Sequence, residues 1–229
     1  MNWLRDYISS EKQKLKGMDR QAKVTYIWQY YKLWIIGITA AVLISGFYIH
    51  HRLTTPTENW FYALFANTYG DVGEGSELWN GFVEFAGYDT KEKNVVFNKN
   101  CYFDPDSQSY NEYYSAFVAY VDTGTLDVVM METEDLETLG ERGRLMDLSQ
   151  ESAGDLAEKY EDRLIYAVPM DTEYSEEPIP IGIDLSDTCL VSKYKAYDGS
   201  CALGISAYST HLDAVETFLD YIINEEAAS

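Results

Sequence analysis

The chain is poor in cations, histidine, cysteine and proline. It carries 17 Lys and Arg against 38 Asp and Glu in 229 residues, a formal net charge of −21. Nucleic-acid affinity needs clustered Lys and Arg against phosphate, so this balance argues against a nucleic-acid partner. There are three histidines, and two of them, His50 and His51, are adjacent near the N-terminus. That excludes zinc sites with several His ligands from the rest of the chain. A Ser-His-Asp or Cys-His site there would rest on His211 alone, whose position at a helix start suits a cap neighbour. Cys101, Cys189 and Cys201 show no metal-ligand spacing. No phosphate-binding glycine loop is present, since the stretch GDVGEG at 70–75 is acidic and repels phosphate. Enzyme activity is therefore not expected, and neither is a cofactor or metal. What the chain does have is 46% hydrophobic residues, enough for a packed core and against disorder.

The net charge hides a split. Residues 1–53 hold 8 Lys and Arg against 3 Asp and Glu, a net of +5; residues 54–229 hold 9 against 35, a net of −26. Between these halves runs LWIIGITAAVLISGFYI, residues 33–49, without a charge. Seventeen residues of helix span about 25 Å, near the lower limit for a bilayer. Tyr30, Tyr31 and Trp34 flank one end, and Tyr48, His50, His51 and Arg52 the other, as interface anchors do. A buried core helix would show a polar stripe, and this run has only Thr39 and Ser45. Lys12, Lys14, Lys16, Arg20, Lys23 and Lys32 precede the span, and only Arg52 closely follows it. The positive-inside rule then places the N-terminus in the cytoplasm. About thirty residues precede the apolar run, long for a cleaved signal peptide, so an uncleaved signal anchor is the better reading.

The expected organisation is a cytoplasmic basic amphipathic segment at 1–31, a transmembrane helix at 32–53, a linker at 54–58 and an extracytoplasmic domain at 59–229. In the first segment Trp3, Leu4, Tyr7 and Ile8 recur at helical spacing with lysines between Tyr7 and Met18. Such a helix can lie flat on the inner leaflet or dock a partner; the better reading is a topology signal with a solvated basic face.

The external part alternates strand and helix patterns. Strands are expected at 60–66, 94–103, 126–131, 179–185 and 201–206. Helices are expected from the Ser76 cap to Gly87, at 110–123, from Thr133 or Glu134 to Gly143, at 154–166, and from Ser209 or Thr210 to Asn224. This alternation predicts an α/β three-layer sandwich with a mixed, mostly parallel sheet of about five strands, the last two pairing antiparallel.

Three stretches then carry a resemblance. Leu126–Met131 is followed by an acidic helix and by Glu141-Arg142-Gly143-Arg144-Leu145-Met146-Asp147-Leu148-Ser149; Pro180-Ile181-Gly182-Ile183 follows; Leu203–His211 leads into a helix ending Phe218-Leu219-Asp220-Tyr221-Ile222. Together they resemble one lobe of the extracellular solute-binding proteins of bacterial ABC importers, over most of residues 58–224. The resemblance implies fold, not ligand residues. Family members carry two lobes that close on a solute, whereas here only Ser192–Cys201 stands where a second lobe would be inserted. A single lobe cannot bury a solute by hinge closure.

The expected function is thus a membrane-anchored interaction or sensing module of a bacterial cell envelope, accessory to a transporter. The bilayer is one partner, and a transporter subunit or other envelope protein another. The alternatives are a solute receptor that forms its cleft by dimerising and, less favoured, an envelope enzyme. Open α/β sheets bind at the carboxyl ends of their strands, so Asn67, Tyr69, Glu132 and Asp184 are the candidate binding residues. Cys189 and Cys201 flank a short connection and are the candidate disulfide, weighed nearly evenly against three unpaired thiols. Two acidic clusters, Asp104-Asp106-Ser107 and Asp171-Glu173-Glu176-Glu177, contain oxygens that calcium could use, but a solvated acidic surface explains them better. Tyr102, Tyr110, Tyr174, Tyr194 and Tyr197 lie near loops and are candidates for lining an open face.

Overall fold

A computed structural model describes residues 3–54, 56–104 and 112–224. The chain divides into two compact units, Met1–Thr55 and Pro56–Ser229.

The first unit is a helical hairpin. Helix α1 spans Trp3–Lys16 and α2 spans Arg20–Thr54. Between them Asp19 caps α2: its carboxylate accepts from the Ala22 amide at 2.7 Å, and its carbonyl from Lys23 at 3.0 Å. The two helices meet through polar groups. Tyr7 and Tyr31 hydroxyls lie 3.0 Å apart, and Glu11 accepts from Tyr26 at 2.9 Å and Tyr31 at 3.0 Å. Lys14 beside Glu11 holds that carboxyl below the usual carboxylate range. Residues Arg20–His50 form the one helix among the described residues long and apolar enough to cross a membrane. No part of its most apolar stretch is buried, and Leu33, Trp34 and Phe47 are each more than 70% exposed. That is unlike a core helix.

The second unit is a six-stranded mixed sheet between two helical layers. Strands β1 (Asn59–Ala66), β2 (Asn94–Cys101), β3 (Val128–Met131), β4 (Leu164–Ala167), β5 (Ile179–Asp184) and β6 (Ala202–Ile205) take the order β2-β1-β3-β6-β5-β4. The β2-β1-β3 half is parallel, and β6, β5 and β4 join antiparallel. Strands β5 and β6 pair antiparallel as expected. The sixth strand is a correction: residues 154–166 do not form one helix. Glu151–Ala153 and Glu161–Arg163 are single tight turns, α6 is only Leu156–Lys159, and β4 begins at Leu164. The charge-rich run has too few apolar positions to bury a long helix, while Leu164-Ile165-Tyr166-Ala167 can complete the sheet edge.

Period-two alternation in β1 builds both cores. Phe61, Ala63 and Phe65 face one layer; Tyr62, Leu64 and Ala66 face the other. On the first side lie α3 (Glu77–Ala86), α6, α7 (Cys189–Ser192) and α8 (Leu212–Asn224). Phe61, Phe82, Phe97 and Phe218 pack there with ring centroids 5.1–6.3 Å apart. Helix α3 starts where Ser76 Oγ accepts from the Trp79 amide and stops at Gly87, whose φ of 66° suits glycine. On the second side lie α4 (Glu112–Asp122) and α5 (Thr133–Gly140), which bury Phe117, Val121, Leu136 and Leu139.

Candidate functional site

The carboxyl ends of β1 and β3 are covered by the segment at 194–197. The Tyr69 amide and Thr68 hydroxyl both donate to the Ala196 carbonyl at 2.9 Å. Tyr197 donates to the Met130 carbonyl at 2.8 Å and is buried, so desolvation pushes its phenol well above 10. Gly70 leaves the room for this contact: a Cβ there would stand 2.8 Å from the Tyr194 carbonyl. Tyr197 therefore does not line an open face, contrary to expectation, and Tyr194 is half-buried, its hydroxyl 3.0 Å from that of Tyr221.

The register of β1 and β3 places Asn67 beside Glu132, and Asp184 ends β5 at the same edge of the sheet. Asn67, at the end of β1, is a clamp. Its amide Nδ2 donates to the Phe103 carbonyl at 2.6 Å and to Asp135 at 3.1 Å, and its Oδ1 accepts from the Phe103 amide at 2.9 Å. Burial in turn pushes the Asp135 carboxyl above its ordinary value, against the lowering effect of the Asn67 bond. Glu132 opens α5 without a side-chain cap bond. Asp184 accepts from the amide and hydroxyl of Ser186 at 3.0 and 2.5 Å. Only Tyr69, 72% exposed, presents its ring to solvent.

A cavity of about 890 Å³ lies elsewhere, on the α4–α5 side. Three pieces wall it: the turn after α5 (Glu141–Arg144), the segment Leu145–Gln150, and the loop at 169–174. Gly143, at φ 70°, lets this turn after α5 take a left-handed backbone that glycine adopts without strain. Leu145, Met146, Ile179 and Ala207 supply apolar lining. Asp147 fastens the wall. It accepts from the Ser149 amide (2.9 Å) and hydroxyl (2.6 Å), from Gln150 (3.2 Å) and from the Tyr174 hydroxyl (2.9 Å). Burial disfavours its charge, but these donors outweigh burial and hold its carboxyl below the usual range. The Met170 amide donates to the Glu141 carbonyl at 2.7 Å, tying the loop to the turn.

Two cations reach this cavity. Arg144 is paired with Asp122 at 2.5 Å. Arg142 is not paired: among the described residues no carboxylate lies within ion-pair distance of it. Its guanidinium lies 5.3 Å from the Tyr114 ring centre and 5.9 Å from that of Phe103. No family model, curated protein or solved structure matches this chain. The cavity must therefore be read from its own chemistry. None of the four strand-end residues lines it. Arg142 and Asp147 sit inside the run that carried the resemblance, but as turn and packing residues; Tyr174 alone was a loop-tyrosine candidate, and it is 55% exposed on the rim. Tyr102 is exposed away from the lining, and Tyr110 lies outside the described residues.

His211 does meet a carboxylate and a hydroxyl. Asp127 is fully buried; its Oδ1 accepts from Ser209 Oγ at 2.7 Å and lies 3.1 Å from His211 Nδ1, while its Oδ2 accepts from the Tyr62 amide at 2.8 Å. Ser209 donates to the carboxylate itself, so imidazole and hydroxyl share one oxygen and the hydroxyl is not poised against the imidazole. This is the wrong order for nucleophile activation. It is a lock between β1, β3 and the start of α8.

The disulfide expectation is corrected: Cys189 and Cys201 are not bridged to each other. A helical turn, α7, intervenes before the connection, and Cys189 Sγ donates to the Ile222 carbonyl of α8 at 3.3 Å. Among the described residues no group of His, Cys, Asp or Glu could hold a metal ion. Asp106 and Ser107 of the first acidic cluster lie outside those residues, and Asp171 accepts from the Glu173 amide at 3.0 Å in a local turn.

Proposed function

We propose that this protein is a single-pass membrane-anchored binding module of a bacterial cell envelope, acting by recognition rather than catalysis, as an accessory to a transporter or another envelope protein. In this reading the basic flank holds the N-terminus in the cytoplasm and the acidic α/β unit, similar to one lobe of a solute-binding protein, lies outside. The unpaired Arg142 guanidinium in an open cavity is the observation that carries it. In a unit with so many carboxylates, a cation held by two rings and, among the described residues, by no acid is a ready partner for an incoming carboxylate. The apolar lining suits a side chain beside that carboxylate. We assign the cavity to a protruding segment of a partner protein, because one lobe without a closing second lobe suits surface docking.

The test is site-specific photocrosslinking from Met170, on the cavity rim, in full-length protein within its membrane. A partner crosslink that falls about tenfold or more in Arg142→Gln, and less in Arg142→Lys, supports the reading. An equal crosslink with Arg142→Gln, or one obtained only from Tyr69, overturns it. Melting that responds to free small carboxylates in a protein-concentration-dependent manner would instead favour a dimerising solute receptor.

A further inference from the structure

We propose that α1 stands upright against α2 and seats its N-terminal turn, Trp3 foremost, in the headgroup layer where α2 enters the membrane. The proposal rests on the reading of α2 as a membrane span, and the experiment below separates the two.

The contacts set the register. Tyr7 meets Tyr31, and Glu11 meets Tyr26 and Tyr31. Moving toward the turn on α1 moves back toward Asp19 on α2, so the helices are antiparallel. One turn further out, Trp3 comes level with Trp34 and Ile35, at the start of the uncharged run. Arg5 comes level with Lys32. The amphipathic helix thus does not lie flat along the leaflet. Its apolar end points at the membrane and its basic end away from it.

Exposure and charge agree with this placement. Trp3, Tyr7 and Ile8 are each more than half exposed within the hairpin, as are Tyr30 and Trp34 beside them. Indole and phenol rings favour the headgroup level, where an apolar body and a polar edge are both satisfied. Arg5 and Lys32 fall where anionic headgroups lie. By contrast Lys14, Lys16 and Arg20 sit at the far tip. Arg20 is thirteen residues before Leu33, about 20 Å along the helix, roughly twice the distance over which a leaflet's potential survives at physiological salt. The occupant of the Trp3 end is therefore lipid, and the distal lysines do not contribute to that contact.

Nitroxide depth measurement on full-length protein, reconstituted in phosphatidylcholine–phosphatidylglycerol vesicles, tests this. Labels go on Asp6→Cys, Lys14→Cys and Gly37→Cys, one at a time. Cys189 and Cys201 are buried and burial pushes the Cys101 thiol up to about 11, so brief labelling at neutral pH favours the introduced, exposed thiol; unsubstituted protein is the blank. The expected result is an oxygen-rich environment at residue 37, an interfacial one at residue 6 and a water-like one at residue 14. Adding Trp3→Ala to Asp6→Cys should move residue 6 toward water. Equal depth at residues 6 and 14, or residue 6 fully in water while residue 37 is in lipid, overturns the upright hairpin. A water-like residue 37 overturns the membrane span itself.

Discussion

At Asn67 the backbone takes φ 53°, a left-handed conformation that Asn adopts more readily than most residues because its short amide can bond locally. Three side-chain bonds then tie the end of β1 to Phe103 and Asp135. Asn67→Ala removes these bonds and leaves a Cβ residue in a strained turn. We expect a loss of about 2–3 kcal/mol in urea unfolding of the full chain in detergent; a loss below about 0.5 kcal/mol would show that the clamp is incidental. Asp147 makes a different prediction. Its carboxyl is held below the usual range, so the folded protein binds the proton less readily than the unfolded chain. The stability it contributes is complete above the ordinary carboxylate range and disappears as pH falls through the lowered folded value. Asp147→Asn should therefore weaken the protein at neutral pH and flatten the acid side of its melting-temperature profile. An unchanged acid limb would remove Asp147 from the acid response.

Close backbone approach governs the elements. A Cβ at Gly182, in β5, would lie 2.8 Å from the Leu203 carbonyl of β6 and 2.6 Å from the Leu136 side chain of α5. The side chain can move, but the carbonyl belongs to the sheet. Gly182→Ala should cost about 1–3 kcal/mol or more, with loss of α5 packing visible in hydrogen exchange of residues 133–140; protection equal to that of the parent would refute it. Helix α3 shows the opposite case, in which short-range signals suffice. Its cap serine and its glycine stop were legible in the sequence because each acts within one or two turns. Strand β4 was not legible. Four residues after a charge-rich run acquire strand geometry only because β5 offers an edge.

For the whole molecule, the charge split coincides with a physical division into two units. Residues 56–229 have their own two-sided core, so this piece alone should unfold in a single transition within about 5 °C of the same unit in the full chain, as followed by calorimetry. A shift well beyond that would mean that the hairpin stabilises the α/β unit. The same split places the span between a basic and an acidic half, which underlies the proposed orientation.

The apolar run, the charge division and the α/β alternation belong to the sequence itself, because hydropathy and period are properties of consecutive residues. The candidate site does not. Asn67 and Asp184 were plausible by position at strand ends, yet the segment at 194–197 folds back over β1 and β3, and no local pattern announces that return. Arg142 stands out only in three dimensions. Its neighbours in sequence are Glu141 and Gly143, while the rings that hold it come from Phe103 and Tyr114 and the wall above it from the loop that Asp147 fastens. Whether a charge is paired depends on which distant groups come within a few ångströms, and only tertiary packing decides that.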